Sequence, residues 1–355
     1  MRVGSQVKRR VRWCLLTLTS VGAVARSCSA QTSAPTNVQS DVQLDAQAPD
    51  ELTAKVRLFP EIGPGLRAVH RGSEGRLYVL ASPSPGLVIF GAQGKEILSI
   101  VPTPAGTKTA QSTFAFAEDF DVDPDGEIYV ADRGTNSIQV FGPDGALLRS
   151  IPVPAPVAIA ALGQGEIAVA TLREPHLVQV FDKNGRDVRE FGELQQLTDR
   201  EDLNRFLNIG LLASDALGHL YYAFEYTPEP TVRQFDRNGY NAGADVQYTA
   251  VEAAPKAQAV RREIDRQEKH QKNPTFKRVL TAVGVDRTNG EVWMAVGNTL
   301  LYFDKAGNRR ASYLLYTPGG VRLEANTILI EPEALIIGGD PLGVYQFKRP
   351  EKFPQ

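Results

Sequence analysis

The sequence predicts a ring of six four-stranded antiparallel β-blades, an all-β six-bladed propeller, and three observations carry that prediction. Residues 120–150, FDVDPDGEIYVADRGTNSIQVFGPDGALLRS, hold four short β signals in a row, separated by tight turns. The same unit recurs along the chain, each copy marked by a Phe that ends its third strand: Phe90, Phe141, Phe181, Phe235, Phe303 and Phe347. The last copy has no fourth strand, and residues 54–59, AKVRLF, carry the fourth-strand pattern at the opposite end of the chain.

Local chemistry justifies each piece. Asp-Gly and Asn-Gly pairs supply the positive φ that tight reversals need, and apolar residues alternate with a period of two between them. First strands are expected at LRAVHR, FDVD, AIAAL, LLASD, AVGVD and NTILIEP. Second strands follow at GRLYVLA, GEIYVAD, GEIAVAT, GHLYYAF, GEVWMAV and EALIIGG. Fourth strands are expected at EILSIV, ALLRSI, DVREFG, a loose run over 244–250, and RRASYLL. A repeated unit of this length points to an array. Its open edges are removed if residues 54–59 complete the sixth blade. The marker Phe residues are expected to anchor blade against blade.

Before the ring, Lys8, Arg9, Arg10 and Arg12 precede a short run of apolar and small residues at 13–25, and Cys28-Ser29-Ala30 offers small residues for cleavage. Residues 1–30 therefore read as a signal peptide, because the apolar run is shorter than the roughly 20 residues a membrane span needs. Arg9-Arg10 also permits a twin-arginine route. An alternative, lipid attachment at Cys28, is poorly matched by Arg26. Both cysteines, Cys14 and Cys28, lie in this leader, so cleavage after Ala30 leaves no thiol for a disulfide or a zinc site. The expected location is periplasmic or extracellular. Residues 31–50 are polar and without apolar period, a flexible linker, and residues 51–350 form the propeller.

Two longer insertions interrupt the repeat. Residues 105–118 read as a polar loop. Residues 251–278 read as a helix between Pro255 and Pro274, with eight Lys/Arg against three Asp/Glu over 256–278 and an apolar stripe of Ala257, Val260 and Ile264. This basic segment is a candidate docking element, and the plainer reading is a solvated helix packed on one side. A shorter helical connector is expected over 194–206.

The run around unit two, DFDVDPDGEIYVADRGTNSIQVFGPDGALLRS, resembles the NHL family of propellers and its bacterial relatives, and weaker copies extend the resemblance over residues 54–348. The resemblance implies the fold and says little of function, since propellers host enzymes, receptors and scaffolds. The family's Asn-Arg before the third strand is Asn136-Ser137 here, so no role tied to that Arg carries over.

Ligands are expected where loops join second to third strands and lead into first strands. The candidates there are Asp119, Asp132 and Arg133 of unit two, Arg173 and His176 of unit three, Glu225 and Tyr226 of unit four, and Asp340 of unit six, with Glu118, Asn136, Glu174 and Glu229 beside them. Asp132 has a plainer role open to it, bonding neighbouring backbone amides. The four histidines, His70, His176, His219 and His270, are spread over unrelated positions, which argues against the histidine-rich zinc site of amidating lyases. No cofactor is expected. Calcium held by acids and carbonyls is an alternative without motif support. The near-neutral charge, -2 overall, and the export signal argue against nucleic acid. No catalytic residue is assigned. The expected function is a binding or scaffold module for a protein, peptide or glycan; the alternative is a metal-dependent enzyme of the lactonase or lyase kind with acids on the axis.

Overall fold

The computed structural model describes residues 48–59, 62, 65–103, 113–243, 245–247, 253–270 and 274–351. The predicted leader (1–30) and most of the predicted linker (31–50) lie outside the described residues, as does most of the predicted 105–118 loop. Six separate antiparallel sheets form the six blades in chain order. Blade one runs through Leu66–Arg71, Leu77–Ala81, Gly86–Phe90 and Glu96–Ile100, and blades two to four repeat this order. The innermost strands of blades two to six are Ala117–Val122, Pro156–Gly163, Gly210–Ser214, Ala282–Val285 and Glu324–Ile330, each over or beside its predicted segment. Among the described residues no helix is long and apolar enough to cross a membrane.

The core is six sandwiches, one between each pair of neighbouring blades. Phe90 lies with Leu335's neighbours Ala334 and Ile336 of blade six, Phe141 with Leu80 and Ile89 of blade one, and Phe181 with Tyr129 and Val140 of blade two. Phe235, Phe303 and Phe347 repeat the arrangement against blades three, four and five. Every marker Phe thus reaches back to the preceding blade and is buried. Burial of a side chain of this size contributes about 1.5–3 kcal/mol. The turn after each Phe needs its Gly: at Asp182-Lys183-Asn184-Gly185 the glycine has φ +76°, and Asp182 Oδ1 accepts the Asn184 and Arg186 amides at 2.8 and 2.9 Å.

The ring closes through the N-terminal segment, and more thoroughly than the sequence predicts. Val56–Leu58 pairs antiparallel with Gly343–Lys348 and supplies the fourth strand of blade six. Just before it, Asp50–Thr53 runs parallel to Arg309–Tyr316 and adds a fifth strand to blade five. That strand has no repeat counterpart, so the periodicity gave no sign of it. Phe59 then stacks on Phe90 of blade one, centroids 3.8 Å apart. One short segment therefore touches three consecutive blades.

Two helices stand in connections on the same side of the ring. Helix α1 (Glu201–Leu207) leads into blade four and α2 (Ala254–His270) precedes blade five. α1 begins later than predicted because residues before it are held in extended form: Asn208 Oδ1 accepts the Gln195 amide and Asn204 Oδ1 the Leu197 amide, at 2.7 and 2.8 Å. In α2, Pro255 sits in the first turn, where its missing N–H costs nothing. The predicted stripe is buried, and Val260 and Ile264 pack with Leu203 and Leu207 of α1 and with Val279.

A chain beginning at Ala48 is expected to melt well above one beginning at Pro60. Loss of both pairings and of the Phe59 stack should lower stability by at least about 3 kcal/mol. Thermal unfolding followed by circular dichroism measures this, and equal midpoints would refute the closure role.

Candidate functional site: the loop face beneath two helices

The innermost strands share a defect that aims side chains at the mouth of the ring. Strand register slips by one residue at the start of four of them, leaving Arg67, Glu118, Val157 and Asn326 as the extra residues. A bulge of this kind re-aims its side chain. Arg67 Nη1 lies 3.3 Å from Glu118 Oε2, and Arg133 Nη2 lies 2.8 Å from Glu118 Oε1. Both guanidinium groups also approach the Phe116 ring, 5.4 and 5.2 Å from its centroid. Gly134 allows this close packing, since a Cβ there would stand 2.8 Å from the Phe116 amide.

A second ion pair comes from blade four. Glu225 is only 4% exposed, and its Oε1 lies 2.9 Å from Arg278 Nε, at the end of the α2 insertion. Its backbone ties down the same segment: the Glu225 carbonyl accepts the Val279 amide at 2.7 Å. Burial pushes the Glu225 carboxyl up to about 7; Glu118 adds to the rise while Arg278 and Arg67 oppose it. Tyr226 turns to the helices and packs on Phe206 of α1, centroids 4.9 Å apart, and Phe206 in turn meets Phe276.

Between α2, the segment after it and blade six lies a cleft of about 660 Å³. Pro255, Lys256, Ala259 and Val260 form its α2 wall; Thr275, Phe276, Lys277, Arg278 and Thr281 form its floor; Glu324 closes the blade-six side. Lys256 reaches over the blade-five turn at Gly297, where a Cβ would come within 2.9 Å of Nζ. A volume of this size suits a small molecule or a few residues of a chain.

Residues 114–141 match the family model of the NHL repeat. The chain is a six-bladed β-propeller with an NHL-type repeat in blade two. Solved structures agree on the ring. A Staphylococcus aureus virginiamycin B lyase, catalytically inactive and crystallised with quinupristin, is similar at 12% identity and a TM-score of 0.51, covering 82% of this chain and 83% of its own. A Bacteroides fragilis protein described as exported is similar at 11% identity and a TM-score of 0.55, covering 85% and 95%. A streptogramin B lyase structure gives 13% identity and a TM-score of 0.50, covering 81% and 84%. Such likeness concerns the fold alone. No curated protein matches the sequence significantly.

Within this propeller the sequence-derived candidates fall into three groups. Arg133, Glu225 and Tyr226 converge on the loop face near the cleft, and Asp340 is the register partner of Glu324 on its rim. Asp119 and Asp132 are bound into the framework. Asp119 Oδ2 accepts the Ile159 amide of blade three at 3.0 Å, and Asp121 does the same for Ala161 at 2.8 Å, so these acids strap neighbouring inner strands together. Burial pushes Asp119 up to about 8, against the opposing pull of that amide. Asp132 is fully buried and accepts the Ala115, Phe116 and Gly134 amides and the Thr135 hydroxyl, at 2.6–3.0 Å. Asn136 likewise accepts the Ala155 amide. Arg173 is exposed, and His176 points outward to Glu190, 3.0 Å away.

The remaining histidines with described side chains also lie apart: His70 Nδ1 is 3.2 Å from Asp121 and His219 Nδ1 is 2.7 Å from Asp215. Among the described residues no group of three His, Cys, Asp or Glu side chains could hold a metal ion. Arg67, Lys256, Lys277, Arg278 and Glu324 belong to the site without having been singled out in the sequence. The positions leading into first strands could have pointed to Arg67 and Glu324; the lysines were visible only as part of a basic insertion.

Two outcomes follow from this geometry. Glu225 keeps a proton in the folded chain that the unfolded chain releases near 4.5. The folded state therefore binds the extra proton between about pH 4.5 and 7, and its stability falls as pH rises through that window, by about 3 kcal/mol from this group. Glu225→Gln should lose that part of the slope in urea denaturation at pH 5 and 8; an unchanged slope would exclude it. Asp132→Ala removes the acceptor of three partly buried amides and a hydroxyl and should cost about 3 kcal/mol in the same assay.

Proposed function

We propose that this chain is an exported binding module that recognises a protein, peptide or glycan through its loop face. The leader's basic start and short apolar run support export. The roofed cleft carries the binding reading: two inserted helices pack together over one face of the ring and leave about 660 Å³ between α2 and blade six. Such a cleft is concave, lined by both apolar and charged side chains, and set on a rigid scaffold, as ligand sites are. In the adjoining Arg67–Glu118–Arg133 and Glu225–Arg278 groups each guanidinium already has a carboxyl partner. These contacts hold the floor in shape, whereas the cleft offers open surface.

Peptide and glycan arrays probed with the mature protein and with Ala259→Trp test this. Ala259 is exposed on the cleft wall, so the indole should fill the space without disturbing the core. The substitution should lower array binding by about 10-fold or more at an unchanged melting temperature. Identical binding patterns for the two proteins would overturn the assignment of the cleft.

A further inference from the structure

Resting on that reading of the cleft, we propose that its ligand is an acidic peptide segment, with a carboxylate held between Lys256 and Lys277 and a neighbouring apolar side chain seated against Ala259 and Phe276. Lys256 and Lys277 line the same cleft, and neither makes an ion pair within 4 Å among the described residues. They are close enough to act on each other as like charges, and burial already works against the charge of Lys256. Two cations facing one half-enclosed space, with no paired anion, leave a demand for negative charge. Arg278, beside them, is committed to Glu225. Glu324 is the one acid on the lining. It acts on Lys256 without contacting it, so the basic character of the cleft remains.

The apolar lining decides between classes of ligand. Pro255, Ala259 and Phe276 offer aliphatic and ring surface that a polysaccharide or a bare inorganic anion would leave uncovered. Phe276 is held by Phe206, so its position is set before any ligand arrives. A side chain such as Leu next to an Asp or Glu satisfies both halves of the lining at once. A rigid apolar wall beside a charge also lowers the ordering cost of binding.

Fluorescence anisotropy with labelled heptapeptides, Gly-Ser-Leu-Xaa-Leu-Ser-Gly with Glu, Gln or Lys at the centre, tests the proposal. The Glu peptide should bind about 10-fold tighter than the Gln peptide, and the Lys peptide weakest. Lys256→Gln and Lys277→Gln should each remove most of that preference while the melting temperature stays within about 2 °C. Arg310→Gln, a charge paired with Asp304 away from the cleft, should leave it intact. Equal binding of the Glu and Gln peptides, or a preference unchanged in both lysine variants, would overturn the proposal. So would tight binding of polygalacturonate or of phosphatidylglycerol vesicles in place of the peptides. If Ala259→Trp still abolishes array binding while no preference for Glu exists, the binding module stands and the acidic peptide falls. If Ala259→Trp changes nothing, both fall.

Discussion

Apolar contact between the faces of neighbouring blades is the interaction on which the rest of this molecule depends. Among the described residues the inner strands of adjacent blades form no common ladder and belong to separate sheets. What joins blade to blade is the stack of Phe, Leu, Val and Ile side chains between them, repeated in six clusters. Because that force is non-directional, the inner edges need directional help. Asp119, Asp121 and Thr327 give it by accepting amides of the neighbouring or the next inner strand. The cost shows in Asp119, whose carboxyl is burdened by the same burial that makes the strap effective.

The division between framework and site follows from the same constraint. Side chains that look chemically promising in a loop are often the ones that must satisfy its backbone. Asp132 and Asn136 are of that kind: the buried Asp132 carboxylate accepts three amides and a hydroxyl, and the Asn136 side-chain carbonyl accepts the Ala155 amide. The side chains left free to meet a ligand come from the inserted helix and the segment that follows it. These lie outside the repeat. Departure from the repeat, more than any residue within it, marks where this ring has been adapted.

Much of the architecture was legible in the residues. The six Phe positions set the blade register, and the Ala257, Val260, Ile264 stripe announced the buried side of α2. A period-two reading has no means of detecting a one-residue bulge, so the aim of Arg67 and Glu118 could not be foreseen. Nor could it pair Glu225 with Arg278, which meet only because the chain returns to the same mouth after a long insertion. The parallel strand Asp50–Thr53 escaped notice for a different reason: it is short, half polar and stabilised by its partner rather than by its own pattern. Among the predicted residues, Asp119 and Asp132 are taken up by neighbouring amides, a task no periodicity reveals.

The way the ring is shut has a consequence for how the protein is made. The strand Val56–Leu58 leaves the ribosome before any blade is made, and its partner Gly343–Lys348 leaves only after five blades are complete. Until that partner arrives, blade six has no outer strand. Completion of the fold is therefore a single terminal event, joining the first strands of the domain to the last. Closing it ties the segment from Asp50 to Phe59 into three blades at once, so the first strands of the domain become the clasp that keeps the ring shut.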